Sequence, residues 1–336
     1  MGKLMNRELL IEFIVSIIAC LSLTAVLLHY IIPILKGHKI RQTIRVEGPS
    51  SHATKAGTPT MGGICFIMAI LFVMAGFTVY YALKEEQYRL VPLALTLGLG
   101  VFNGLIGFID DYCKLLKKEN EGLTPRQKFV LQTVVAVLYI IALKVTGYLD
   151  TNLFIPFLGI EIELGFVYYL FAVFLIVGMV NSVNLTDGID GLASTVTLVV
   201  AFFFSLVAFN VMSDSLILIS GALIGAMIGF LIYNHHPARV FMGDTGSLFL
   251  GGIITGAAFL INNPLIIIIA GGIFVLEAVS DIIQVGVFKL SGRKIRVFKM
   301  APIHHHFEAC GWKEGKIVGV FGFVTALLCV VAWFAL

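Results

Sequence analysis

Charged side chains are scarce in this chain: Asp, Glu, Lys and Arg make up 13% of its 336 residues, against 59% for apolar types. Soluble domains carry roughly 25% charged residues, because a folded chain of this size has to cover its surface with polar groups. The shortage excludes a water-exposed globule. Cysteine supplies no framework either, since Cys20, Cys65, Cys113, Cys310 and Cys329 are scattered and form no C-x-x-C pair. Neither a disulfide scaffold nor a zinc knot follows from such spacing. A net charge of +3 is too small to indicate nucleic acid as a partner. The apolar blocks lack the polar residue at every second position that a transmembrane strand requires. An internal repeat of the kind built into carriers is also missing.

What is present is a series of apolar blocks of about 20 residues, the length that spans a hydrocarbon core. Ten candidate spans fall near 9–34, 61–83, 90–109, 128–148, 165–183, 191–211, 215–233, 246–262, 264–288 and 317–335. Backbone exposed to lipid has to satisfy its own hydrogen bonds, so each block is expected to be helical. The expected architecture is an all-α polytopic membrane protein, one transmembrane domain over residues 1–336. Ile17-Ile-Ala-Cys20 has the look of a lipoprotein cleavage box, but the apolar run continues to Leu35 and reads as an uncleaved first span. The alternate loops 36–60, 110–127, 184–190, 234–245 and 289–316, with their flanks, hold 18 of the 23 basic residues. By the positive-inside rule these five loops are cytoplasmic and both termini lie outside. The active-site cleft is then expected on the cytoplasmic side.

Every unusual polar motif falls in this basic set of loops. Gly57-Thr-Pro-Thr-Met-Gly-Gly63 follows Lys55, and its glycines and prolines indicate a shaped turn able to cradle an anion. In Gly104-Leu-Ile-Gly-Phe-Ile-Asp110-Asp111-Tyr-Cys-Lys114, two adjacent acids end an apolar run. Like charges side by side call for a cation or a proton. Lys114 shares a helix face with one of them if the third span continues, and a solvated helix end with an internal ion pair is the plainer alternative. Asn181, Asn184, Asp187 and Asp190 put two amides and two acids within ten residues, oxygen donors suited to Mg²⁺ when phosphates complete the shell. Asp244 stands between Gly243 and Thr245-Gly246 directly before the eighth span, where it serves either a metal–phosphate group or a helix cap. Glu277, Ser280, Asp281 and Gln284 share one face of the ninth span, which is expected to be wet toward the cytoplasm or bonded to another helix. His304, His305 and His306 are consecutive, so they cannot all reach one ion from a regular helix; phosphate contact suits them better than zinc.

Carboxylates, amides, basic groups and a glycine-rich loop on one membrane face suit a divalent ion and a polyphosphate. Phosphoryl transfer from a soluble activated donor to a lipid is the chemistry they support. Spacing does not identify the sugar.

The chain resembles the polyprenyl-phosphate N-acetylhexosamine-1-phosphate transferases of glycosyltransferase family 4. The matching stretches are Gly57–Gly63, Phe108-Ile-Asp-Asp111, Asn184-Leu-Thr-Asp-Gly-Ile-Asp-Gly-Leu192, Phe241-Met-Gly-Asp-Thr-Gly246 and Ala301-Pro-Ile-His-His-His-Phe-Glu308, in the family's order. The histidine triplet is typical of the family's phospho-N-acetylmuramoyl-pentapeptide branch. The resemblance implies a ten-helix, homodimeric enzyme of the bacterial cell membrane that moves phospho-MurNAc-pentapeptide from its UDP carrier to undecaprenyl phosphate. Lipid I and UMP would be the products, and Mg²⁺ the cofactor. It implies Asp244 as the principal metal ligand with Asn184 as partner, and Asp110, Asp111, Asp244 and His304 as catalytic. Lys55, Thr60, Lys114, Lys128, Asn181, Asp187, Gly188, Asp190, Phe241, Gln284 and His305 would contact substrate. Two mechanisms fit: attack by the lipid phosphate with Asp110 assisting, or attack by that carboxylate through a covalent phospho-sugar. A sibling transferase using UDP-N-acetylglucosamine is the near alternative, and a membrane transporter the distant one.

Overall fold

The structure is a computed structural model and describes residues 2–37, 57–117 and 122–336. Lys55 lies outside the described residues. The described chain is mostly helical, as its apolar blocks require. Helices α1 (Gly2–Gly37), α2 (Gly63–Leu83), α3 (Val91–Lys117) and α4 (Pro125–Val145) precede a hairpin of strands β1 (Asn152–Ile155) and β2 (Ile160–Glu163). Then come α5 (Phe166–Thr186), α6 (Leu192–Val211), α7 (Asp214–Asn234), α8 (Gly243–Leu260), α9 (Ile266–Ala270), α10 (Gly272–Leu290), α11 (Ile303–Ala309) and α12 (Glu314–Trp333).

Two expectations change in detail. The purely helical chain acquires an antiparallel hairpin, with Leu153 opposite Ile162 and Ile155 opposite Ile160. Its apolar and acidic residues alternate along β2, a period-two pattern too short to stand out beside 20-residue apolar blocks. Among the described residues, nine helices are long and apolar enough to cross a membrane. The ninth expected span is instead divided at Gly271, where α9 ends and α10 begins. Pro264 precedes this short helix and Glu277, Asp281 and Lys289 lie in α10, which dilutes its apolar character.

Helix α8 is the element that positions the site. It is enclosed by α3, α5 and α2, and it is rich in small residues, which let backbones in a bilayer approach closely. A Cβ added to Gly252 would stand 2.9 Å from Gly100 Cα of α3, and one added to Gly63 of α2 would collide with Gly246 Cα. At the opposite end from the site, Arg89 donates from Nε and from a terminal nitrogen to the two Asp214 oxygens, both at 2.9 Å. Tyr81 Oη–H donates to the buried Glu12 at 2.8 Å. These bonds fasten α2 to α1, and the turn that precedes α3 to the start of α7.

Candidate active site

Three of the polar motifs prove to lie inside helices rather than between them. Helix α3 continues through the acid pair to Lys117, and α5 runs on through Asn181 and Asn184. Helix α8 starts at Gly243, one residue before Asp244. The acid pair is therefore no solvated helix end: Asp110 is 2% exposed and Asp111 5%.

Asp111 reaches across to the first turn of α8. It accepts the backbone N–H groups of Asp244 (3.2 Å) and Thr245 (2.9 Å) and the Thr245 hydroxyl (2.7 Å). Helix starts leave N–H groups without partners, and a carboxylate there also meets the positive end of the helix dipole. Met242, the cap residue of α8, supplies no side-chain hydrogen bond, so a residue from another helix does the capping. The approach depends on Gly107, whose Cβ would collide with the Asp244 carbonyl, and on Gly243, which has a φ of +71° and whose Cβ would stand 2.6 Å from Asp111 Oδ2.

Capping Asp111 in this way points Asp244 at two lysines. Lys114 Nζ is 2.9 Å from Asp244 Oδ2 and 2.6 Å from Asp110 Oδ2, the latter one helical turn away on α3. Lys128 Nζ is 2.7 Å from Asp244 Oδ2 and 3.7 Å from Asp110 Oδ2. Lys128 lies in the first turn of α4, which Thr124 starts with a capping box to Gln127 and Pro125 at the first position. A cation near a helix N-terminus is unfavourable by itself, and here two carboxylates offset it. Asn184 Nδ2 donates to Asp244 Oδ1 and to Ser247 Oγ, each at 2.8 Å. Asp110 Oδ1 accepts the Leu123 N–H at 2.8 Å.

Oxygens of Asp110, Asp111 and Asp244 lie within 4.8 Å of one another, a set able to hold a divalent metal. The donors are hard oxygens, as Mg²⁺ prefers. Two ammonium groups on Asp244 mark that carboxylate as one built to face positive charge.

Around this cluster the structure places the other expected residues as follows. Thr60 lies beside it, with its hydroxyl 3.0 Å from where a Gly243 Cβ would be. The 57–63 turn is laced to the segment before α8, because Phe241 N–H donates to Pro59 O and Gly62 N–H to Phe241 O, both at 2.8 Å. Asp187 and Gly188 form the turn leaving α5. Asp190 accepts from Ala238 N–H and pairs with His236, each at 3.0 Å, while Glu314 of α12 accepts its backbone N–H. Asn181 is drawn away to Gln132 of α4 (2.7 Å). Gln284 accepts from the N–H groups of Val297 and Phe298. The three histidines take different hydrogen-bond partners, although the His304 and His305 rings lie against each other with centroids 4.0 Å apart. His304 goes to Glu277, His305 to Glu308, and His306 accepts the Lys299 N–H.

Sequence reasoning missed Thr245, Ser247, His236 and Glu314. Thr245 lies inside a quoted motif and Ser247 one residue beyond it, and both needed only the helix start to be read about three residues earlier. Glu314 is 124 positions from Asp190, and no local pattern marks it.

Known proteins resemble this chain over nearly its whole length. The model of glycosyl transferase family 4 matches residues 93–262. The phospho-N-acetylmuramoyl-pentapeptide-transferase signature 1 matches residues 55–67. The phospho-N-acetylmuramoyl-pentapeptide-transferase of Clostridium acetobutylicum is 46% identical over 308 residues, 91% of this chain and 93% of the relative. Its counterpart in Clostridium perfringens is 44% identical over 329 residues, 97% and 99% of the two chains. That of Acetivibrio thermocellus is 46% identical over 328 residues, 96% and 94%.

Proposed function

The chain belongs to glycosyl transferase family 4, among the phospho-N-acetylmuramoyl-pentapeptide-transferases, and from that premise we propose the reaction and the part each residue plays. It transfers phospho-MurNAc-pentapeptide from UDP-MurNAc-pentapeptide to undecaprenyl phosphate and releases UMP. The observation that carries this reading is the junction of Asp110, Asp111 and Asp244 with Lys114 and Lys128 at one end of the helix bundle. Such a cluster meets the needs of phosphoryl transfer, which rests on positioning and on compensation of charge.

Asp244 with Asn184 would hold Mg²⁺, which would supply charge neutralisation at the diphosphate. Lys114 and Lys128, with Lys55 from the preceding segment, take phosphate oxygens of donor and lipid. Asp110 orients the lipid phosphate, whose oxygen attacks the β-phosphorus of the donor while the bond to UMP breaks. A phosphate monoester has a second pKa of about 6, so at neutral pH the attacking oxygen needs little help from a base, which supports direct attack over a covalent phospho-sugar. Asp111, committed to three donors of α8, holds Asp244 in place. Asp187, Gly188, Asp190 and Phe241 form the nucleoside side of the pocket, with Thr60 at its rim. Asn181, Gln284, His304 and His305 line or brace its margins.

The enzyme works in the bacterial cell membrane as a homodimer of ten-span chains, with α9 and α10 together as the ninth span. Both termini lie outside and the site faces the cytoplasm. The distribution of Lys and Arg supports that orientation.

Purified protein incubated with Mg²⁺, undecaprenyl phosphate and labelled UDP-MurNAc-pentapeptide is expected to move label into the lipid phase and to release UMP. A folded sample that moves none overturns the reading. Label transfer from UDP-N-acetylglucosamine instead would assign the chain to the sibling activity.

A further inference from the structure

Beyond the acid–lysine cluster, Glu277 and His304 form a titratable pair sealed from solvent. Glu277 of α10 and His304 of α11 are both 0% exposed, and His304 Nδ1 lies 2.9 Å from Glu277 Oε2. The His304 backbone N–H points to the same oxygen at 3.4 Å. Two atoms of the pair, Glu277 Oε1 and His304 Nε2, have no hydrogen-bond partner. Native interiors leave few polar atoms unmatched, and each one asks for a cause such as a ligand or water that completes it.

The ring has a defined direction. A Cβ built on Gly188 would overlap His304 Nε2 and stand 2.6 Å from Cε1. The unpartnered nitrogen therefore lies directly against the turn that leaves α5, four residues beyond Asn184. The ring cannot simply flip, because that would set a carbon against the carboxylate and lose the bond to Nδ1. Helix α10 fixes the approach at a second point. Gln284, two turns along from Glu277 on the same face, holds the backbone of Val297 and Phe298 at 3.0 and 2.9 Å. The segment that delivers His304 is thus pinned both before the histidine and at it. A carboxylate that accepts from Nδ1–H decides which imidazole nitrogen is left for other work.

We propose that Glu277 is a positioning residue: it fixes the His304 imidazole through Nδ1 so that the Nε2 edge is held against the Asp187–Gly188 turn and sets the position in which that turn meets the nucleotide donor. The proposal rests on the donor reading given above. Glu277 touches no substrate and acts through His304 alone.

The test uses the full-length protein in lipid nanodiscs and compares Glu277→Gln, His304→Gln, the double variant and Gly188→Ala with the parent. Glu277→Gln and His304→Gln are each expected to raise the donor KM about tenfold, the scale of a charge-assisted hydrogen bond. Turnover at saturating donor should fall by less than about threefold. The double variant should be no worse than His304→Gln, because residues acting as one unit do not add. In protein carrying ¹⁵N-labelled histidine, Glu277→Gln should change the His304 ring signals, which report the nitrogen that bears the proton. Gly188→Ala, which displaces the ring without touching Glu277 and also alters the nucleoside side of the pocket, should raise KM and shift the His304 ring signals together; where Glu277→Gln does not fold, those ring signals are the readout. A parental KM in Glu277→Gln or in Gly188→Ala, or losses that add in the double variant, overturns the proposal. A parent protein that transfers no label fails the donor reading instead, and the ¹⁵N spectra remain a separate measure of the pair.

Discussion

Lys128 Nζ lies 2.7 Å from Asp244 Oδ2 across 116 positions of sequence, and Lys114 Nζ reaches the same oxygen at 2.9 Å. One carboxylate oxygen thus receives two ammonium groups from two helices. A bound metal ion and these lysines would act on the same negative charge, which gives them a measurable competition.

Lys128→Met keeps most of the apolar stem and removes one cation. In metal-free protein the remaining lysine is left to two carboxylates, and stability should fall by about 1–3 kcal/mol. Mg²⁺ should then raise the thermal midpoint of Lys128→Met more than that of the parent, since a ligand stabilises in proportion to its binding to the folded state. Equal increments in the two proteins would sink the idea that ammonium and metal share Asp244.

Asp110 and Asp111 are neighbours in sequence with different work. Asp111 closes the N-terminus of α8 with three hydrogen bonds, so Asp111→Ala should lose about 1–2 kcal/mol of stability, the loss of a cap. Asp111→Asn should lose part of it, because the amide keeps one acceptor oxygen for Thr245 and cannot accept at its nitrogen. Asp110→Asn should cut turnover by about 10²–10⁴-fold while donor binding by calorimetry changes little. If Asp110→Asn abolished donor binding and left the turnover of bound donor intact, the assignment of the pair would be reversed.

The legible part of the site was the part written in helical periodicity. Asp110 and Lys114 are one turn apart, so their ion pair followed once α3 continued past the acids. The separate hydrogen-bond partners of His304, His305 and His306 followed from the angle between successive helical residues, but the contact between the His304 and His305 rings did not. What could not be read is the meeting of distant helices. The 116 positions between Lys128 and Asp244, or the 27 between Glu277 and His304, carry no periodic signal. Gln284 illustrates the difference: its helix face was readable, but its partners are backbone groups of a loop, and any loop sequence offers those. The break at Gly271 was hidden because hydropathy averages over a window and passes across the Gly271-Gly272 pair.

Gly107 tests the contact that brings α3 and α8 together. Its Cβ would meet the Asp244 carbonyl, backbone against backbone, where neither side can yield by a rotamer change. Gly107→Val should separate the two helices and lengthen the Asp111 cap. Expected costs are about 1–3 kcal/mol for overpacking and a fall in metal-dependent stabilisation larger than that of Gly98→Val. Gly98 lies on the same helix with open space around it and serves as the control. Equal behaviour of the two variants would show that α8 does not depend on this approach.

The orientation of the chain can be read by chemical labelling at its two ends. Leu158, at the tip of the hairpin, is 68% exposed, and Arg293 is exposed in the loop after α10. The intervening apolar helices put them on opposite sides if α9 and α10 together cross the membrane. Cys310 is exposed and Cys113 partly so, so both are replaced by serine before a single cysteine is introduced. A membrane-impermeant maleimide should then modify Leu158→Cys in intact cells, and Arg293→Cys only after permeabilisation. The lysine and arginine bias that underlies this expectation is an electrostatic effect on insertion, strongest in short loops, and the 289–316 loop with its flanks carries seven of the basic residues. Labelling of Arg293→Cys from outside would place the acid–lysine cluster on the wrong side for a soluble cytoplasmic donor. Labelling of both positions from outside would instead mean that α10 does not complete a crossing, and that the division at Gly271 turns the chain back.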